Sequence, residues 1–103
     1  MAIREEAYSA FVYAASVYTA AHEVSDSLAL YRQNNHEELG VEFESLLDDL
    51  TEFISKAESI MDVIDPDMYE IEPQMFAAHH HLCMALQYGE SIIRDVMEYK
   101  FNQ

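Results

Sequence analysis

The chain has 103 residues, half of them hydrophobic, with twenty acids against five bases for a net charge of −15. Length and apolar content fit a single domain with one core and exclude a disordered polyanion. The sign of the charge disfavours direct binding to DNA, RNA or anionic lipid, and the single Cys excludes an internal disulfide.

Only two Gly and two Pro interrupt a sequence rich in helix-favouring Ala, Leu, Glu and Met, so the elements are few and long. No run of eighteen apolar residues suggests a membrane span. The opening Met-Ala-Ile-Arg-Glu-Glu lacks the basic-then-apolar plan of a signal peptide. With a lone thiol, this leads us to expect a cytoplasmic protein.

A first helix is predicted from about Arg4 to Gln33. Ala7, Phe11, Ala14, Tyr18, Ala21 and Leu28 recur at helical spacing, and a second row runs beside them through Ala10, Tyr13, Val17, Ala20, Val24 and Tyr31. Alternating Ala with Tyr lets a neighbouring helix approach closely at the Ala positions. The face is wider than a three-helix core covers, which points to a self-association surface and a homodimer. Ser25 and Ser27 mark the place where this helix would bend if the domain had four helices.

Asn34 and Asn35 signal a turn, and Asn35 with Glu38 reads as an N-cap with its capping-box partner. A second helix then runs from about His36 to Ile64. Leu39, Phe43, Leu46, Leu50, Phe53, Ala57, Ile60 and Ile64 follow four-three spacing, widened by Leu47, Ile54 and Met61. The segment DPDMYEIEPQ, with both prolines, is a connection. Pro73 suits the first position of a third helix that reaches about Tyr99. Its inner face is Met75, Ala78, Leu82, Ala85, Leu86, Gly89, Ile92, Ile93, Val96 and Tyr99. Gly89 costs ~1 kcal/mol relative to Ala in mid-helix, which suggests a large side chain over it, with Tyr8, Tyr13 or Tyr18 as candidates. The expected fold is all-α, an elongated antiparallel three-helix bundle, with a four-helix variant if the first helix breaks.

The charge is concentrated. From Glu37 to Glu72 there are thirteen acids and one base, Lys56, while the other residues hold seven acids and four bases. The acids of the second helix fall outside its apolar stripe and are expected to form the face opposite the core. Glu38–Glu42, Glu44–Asp48, Asp48–Glu52 and Glu58–Asp62 are like-charge pairs four apart, each destabilising by roughly 0.2–0.5 kcal/mol. Interspersed Lys would confer solubility without that penalty. Only Glu52–Lys56, and Glu90–Arg94 on the third helix, have the favourable order.

This pattern suggests a binding surface for a basic protein. The expected site is Glu37, Glu38, Glu42, Glu44, Asp48, Asp49, Glu52, Glu58, Asp62, Asp65, Asp67, Glu70 and Glu72, acting as ligands and not as catalysts. Carboxylates one turn apart have an axial density comparable in order of magnitude to duplex phosphates. Such a rod fits a nucleic-acid mimic that occupies the basic channel of a defence or toxin nuclease. The alternative is a helical chaperone or assembly adaptor, in which Met84, Tyr88 and the Tyr row hold an apolar client.

Metal and catalytic readings are weaker. His79 and Cys83 are four apart, as are His22 and Asp26, a spacing that suits zinc. A closed zinc site nevertheless wants four ligands, and three successive His at 79–81 point in different directions. His79 is expected near the core edge and His81 toward solvent. Glu23 with Asp26, and Asp49 with Glu52, resemble the paired carboxylates that hold magnesium in nucleotide pyrophosphatases, yet phosphate-binding bases are scarce beside them. Neither a nucleophile motif nor a phosphate loop is present, so no enzyme, cofactor or metal is expected.

Overall fold

The computed structural model describes residues 5–34, 39–64 and 73–101. They form three helices: α1, Glu5–Gln33; α2, Val41–Val63; and α3, Pro73–Phe101. α1 contains neither Gly nor Pro, has Glu5 and Glu6 in its first turn, and has Arg32 in its last. Those charges complement the helix dipole at both ends. The helix runs through Ser25 and Ser27 without interruption, so the three-helix form holds and the four-helix variant does not arise.

α2 begins at Val41, later than the His36 that periodicity suggests. The Asn35–Glu38 capping box lies outside the described residues. Gly40 occupies the N-cap position in extended backbone, with no side-chain cap from its own segment. Its N–H instead donates to the Tyr31 hydroxyl of α1 at 2.9 Å, and its carbonyl accepts the first helical bond, from Glu44 N–H at 3.1 Å. The cap is thus a tertiary contact, which local sequence rules do not see. At the far end Ile64 is extended, and its N–H bonds the Met61 carbonyl at 3.3 Å. Pro66 follows two residues later and opposes continuation.

The bundle measures 53 × 20 × 18 Å. Side-chain pairs fix its directions. Phe11 meets His81, Tyr18 meets Tyr88, and Arg32 lies over Tyr99, so α1 and α3 run parallel. Tyr31 meets Phe43, and Lys100 near the end of α3 reaches Glu44 near the start of α2, so α2 runs antiparallel to both. α1 is the central helix and packs more extensively on each neighbour than α2 and α3 pack on each other.

The core has a heptad register. Ala7, Ala10, Ala14, Val17, Ala21, Val24 and Leu28 of α1 are all buried at alternating steps of three and four. Met75, Ala78, Leu82, Ala85, Gly89, Ile92, Val96 and Tyr99 of α3 repeat that rhythm. A 3.5-residue period is the geometry of coiled-coil packing. α2 contributes buried Phe43, Leu50, Ile54, Ala57 and, just past its end, Ile64. Leu39, Leu46, Leu47, Phe53, Ile60 and Met61 are only half-buried against it. On α1 the core row is Ala and Val up to Leu28, while Phe11, Tyr13, Tyr18 and Tyr31 stand at its margins.

The side chains over Gly89 are aliphatic, which corrects the expectation of a tyrosine. A Cβ at Gly89 would lie 2.9 Å from Val17 Cγ1 and 3.0 Å from Ile54 Cδ1. Gly89 therefore marks the point where all three helices converge. No polar or charged residue is buried among the described residues, so none of their acids serves the core.

Candidate partner-binding surface

Of the acids expected to form the site, seven lie in α2. Glu42, Asp48, Asp49, Glu52, Glu58 and Asp62 are exposed and Glu44 is half-buried. Glu37, Glu38, Asp65, Asp67, Glu70 and Glu72 lie outside the described residues. Two of the seven are neutralised. Lys100 Nζ lies 2.9 Å from Glu44 Oε1, and Lys56 Nζ lies 3.1 Å from Glu52 Oε1. The hydrogen bond to Glu52 and its charge hold the Lys56 ammonium above its usual pKa, with Tyr13 adding to the shift. Glu90 and Arg94 form no ion pair, although their spacing would allow one; the ion pairs among the described residues are the two above.

The α2 acids do not form one stripe opposite the core. Glu42 and Asp49 sit at the seam with α1. Glu44 sits at the seam with α3, through Lys100. Asp62 lies about five turns beyond Glu44 and so returns to the same flank. The reason is arithmetic: seven acids in a 23-residue helix exceed what one outer face holds, so they spread to both margins of the apolar stripe. The result is a sheath of carboxylate along α2.

The α1 margin of that sheath is concave. Two clefts of about 310 and 340 Å³ lie in line along the α1–α2 seam. Ser16, Thr19 and Ala20 give α1 a wall of small side chains in one cleft, Ser27, Leu30 and Tyr31 line it in the other, and Phe43, Leu46 and Phe53 give α2 an apolar wall. Glu23 of α1 joins Asp49 in one cleft, and Glu42 lines the other. The sequence signal for Glu23 was its spacing to Asp26, but only the fold brings it opposite Asp49. Neither cleft has Lys or Arg in its lining.

The opposite flank of α1 carries rings. The Phe11 and His81 ring centroids are 5.4 Å apart, those of Tyr18 and Tyr88 5.7 Å, and those of His22 and Tyr88 5.2 Å. The Tyr88 hydroxyl is 3.4 Å from His22 Nδ1. Tyr88 is therefore half-buried in this ladder and is not an outward anchor, whereas Met84 is exposed as expected. His81 is exposed and covers Phe11. His79 is half-buried, with its ring nitrogens 3.8 and 4.0 Å from Cys83 Sγ. Among the described residues no three His, Cys, Asp or Glu side chains converge in a way that would hold a metal ion.

Exposed apolar side chains lie toward both ends of the bundle, Tyr8, Val12, Val63 and Phe76 toward one and a second set where α1 ends, α2 begins and α3 ends. Val41 and Phe101 are each 87% exposed, and Leu30 and Met97 are also exposed. No helix among the described residues is long and apolar enough to cross a membrane. No family model, curated protein or solved structure matches the chain.

Proposed function

We propose that the protein is an acidic antagonist of the nucleic-acid-mimic type, whose carboxylate-sheathed α2 engages the basic surface of a nucleic-acid-handling protein such as a defence or toxin nuclease. The observation that supports this most is the unneutralised charge on a stiff rod. Glu42, Asp48, Asp49, Glu58 and Asp62 are exposed, and no ion pair ties them to a base among the described residues. α2 has 23 residues, about 35 Å at ~1.5 Å each. A duplex strand presents a phosphate about every 3.4 Å, so α2 is as long as roughly ten base steps. The heptad core fixes the rod before the partner arrives, so little ordering entropy is lost on binding. Like charges along the rod would speed encounter with a basic channel and make the affinity fall with salt.

The test is capture from a nuclease-treated host lysate, with a salt gradient for elution and DNA as competitor. The expected result is a basic nucleic-acid-binding protein that elutes at moderate salt, is displaced by DNA, and is lost when Asp48, Glu58 and Asp62 are changed to Lys. Retention of the same partner by that variant, without salt dependence, would overturn the proposal.

A second reading, a helical adaptor for apolar clients, is favoured by Leu30, Val41, Met97 and Phe101 at one end of the bundle. Under it, Val41→Ser with Phe101→Ser removes binding, and salt and charge reversal do not. The α1 face expected to self-associate is taken up within the bundle, its Ala and Val buried and Phe11, Tyr13, Tyr18 and Tyr31 packed against the core; a homodimer through the apolar end would instead appear as a concentration-dependent mass that the same variant abolishes.

A further inference from the structure

We propose that the α1–α2 groove seats a basic amphipathic helix of the partner, an inference that rests on the acidic-antagonist reading and gives it a location. Shape comes first. The two clefts lie one after the other on the α1–α2 seam, one against α1 residues 15–23 and the other against residues 27–34, each spanning about two turns of α1. In the cleft that holds Glu23 the α1 wall is Ala15, Ser16, Thr19 and Ala20, which leave space that a Leu or Tyr would fill; in the other, Ser27 leaves a gap beside the larger Leu30 and Tyr31.

The chemistry of the lining selects the occupant. Leu46 and Phe53, seven residues and therefore two turns apart, offer two apolar contacts along one line. An incoming helix meets both with apolar side chains at positions i and i+7, the usual mode of helix-in-groove recognition. Glu23, Glu42 and Asp49 supply the charge of the lining, with no Lys or Arg among it. An apolar stripe flanked by Lys or Arg matches this; a neutral amphipathic helix leaves the carboxylates desolvated without partners. Nucleic acid is repelled by the same carboxylates. A second copy of the chain brings a further −15 of net charge to the seam.

The site therefore includes α1 residues that the charge pattern of the second helix leaves out. Glu23 is part of it, whereas Glu58 and Asp62 of α2 are outside it and serve only the long-range field.

The test uses the full chain and three labelled probes in a fluorescence-anisotropy titration. The first is an eighteen-residue Leu/Lys peptide with leucines at helical spacing, the second an oligolysine of equal charge, and the third the first peptide with Lys replaced by Gln. The first is expected to bind at least about tenfold tighter than either control. Thr19→Trp, which fills the groove without changing charge, is expected to weaken it about tenfold, with thermal melting confirming the fold. Ser27→Leu provides a milder second filling variant. Glu23→Gln with Asp49→Asn is expected to weaken it more than Glu58→Gln with Asp62→Asn, which removes the same charge elsewhere. The proposal is overturned by equal binding of oligolysine, by unchanged binding after groove filling, or by equal effects of the two acid pairs. It is also overturned if the free protein is already a dimer that Thr19→Trp dissociates. Those outcomes leave the antagonist reading standing; that reading fails separately, if salt and the α2 acids have no effect on capture of the natural partner.

Discussion

Helix α1 presents two unlike flanks to its neighbours, and side-chain size decides what each seam becomes. Toward α3 it shows Phe11, Tyr18 and His22, whose rings meet His81 and Tyr88 and close the parallel seam. Toward α2, over the stretch from Ser16 to Ser27, it shows hydroxyl and methyl groups with the Glu23 carboxylate among them, and the antiparallel seam stays open in two clefts. The core row between the flanks is Ala and Val up to Leu28 in either case. A close-packed interior and an open surface channel therefore lie on one helix, about a third of a turn apart.

The largest expected effect comes from treating the two environments alike. Ala21 has no exposed surface, and Ala21→Leu forces new atoms into a filled core. We expect a loss of about 1–3 kcal/mol. Ala15→Leu makes the same change at an exposed position of the groove wall and is expected to change stability by no more than ~0.5 kcal/mol. Paired thermal melts read this directly, since 1 kcal/mol shifts a domain of this size by roughly 4–8 °C. Equal losses would mean that the groove is packed space.

A smaller effect is expected where the seams converge. Gly89→Ala gains ~1 kcal/mol of helix propensity but brings a Cβ to 2.9 Å from Val17 Cγ1 and 3.0 Å from Ile54 Cδ1. Ile54 can swing its terminal methyl aside; Val17, branched at Cβ, cannot. The net expectation is a loss of about 1 kcal/mol, the clash outweighing the propensity. In a Val17→Ala background the same change should become stabilising, and a double-mutant cycle by denaturant unfolding would show that coupling.

Tyr31 joins α1 to the start of α2 through one hydroxyl. Tyr31→Phe keeps the edge-on contact with Phe43 and removes the acceptor for Gly40 N–H. A loss of about 0.5–1 kcal/mol is expected, together with faster amide exchange at Gly40 and Glu44 and unchanged exchange in α3.

Much of this architecture was legible from periodicity alone. Three helices, the end of α1 at Gln33, the start of α3 at Pro73 and the inner face of α3, except for the half-buried Ile93, follow from apolar spacing and proline placement. What stayed hidden depends on neighbours. The start of α2 depends on a hydroxyl nine residues earlier in the chain. The occupant above Gly89 is Val17 with Ile54, and the sequence has no means of ranking them against Tyr8, Tyr13 or Tyr18. The carboxylates of α2 could be counted, but their division between two seams appears only once α1 and α3 are in place. Glu23 entered the sequence reading as half of a pair with Asp26, and the fold pairs it across the groove with Asp49 instead.

Lys56 supplies the smallest stability effect and the sharpest test of what the charge is for. It is exposed, and its raised pKa comes chiefly from Glu52 four residues earlier. A raised ammonium pKa contributes stability that is fully present below the usual value of 10.5 and is lost as pH rises through the folded-state value. Melting temperature is therefore expected to show no trend from this pair between pH 7 and 9, and Lys56→Gln is expected to leave it nearly unmoved, as exposed pairs do. Binding should respond in the opposite sense. The substitution removes the only base between Glu37 and Glu72 and frees the Glu52 carboxylate. If the sheath is a ligand for a basic partner, Lys56→Gln tightens capture and steepens its salt dependence. If the acids are only solvated surface, neither quantity changes, because nothing then reads the added charge.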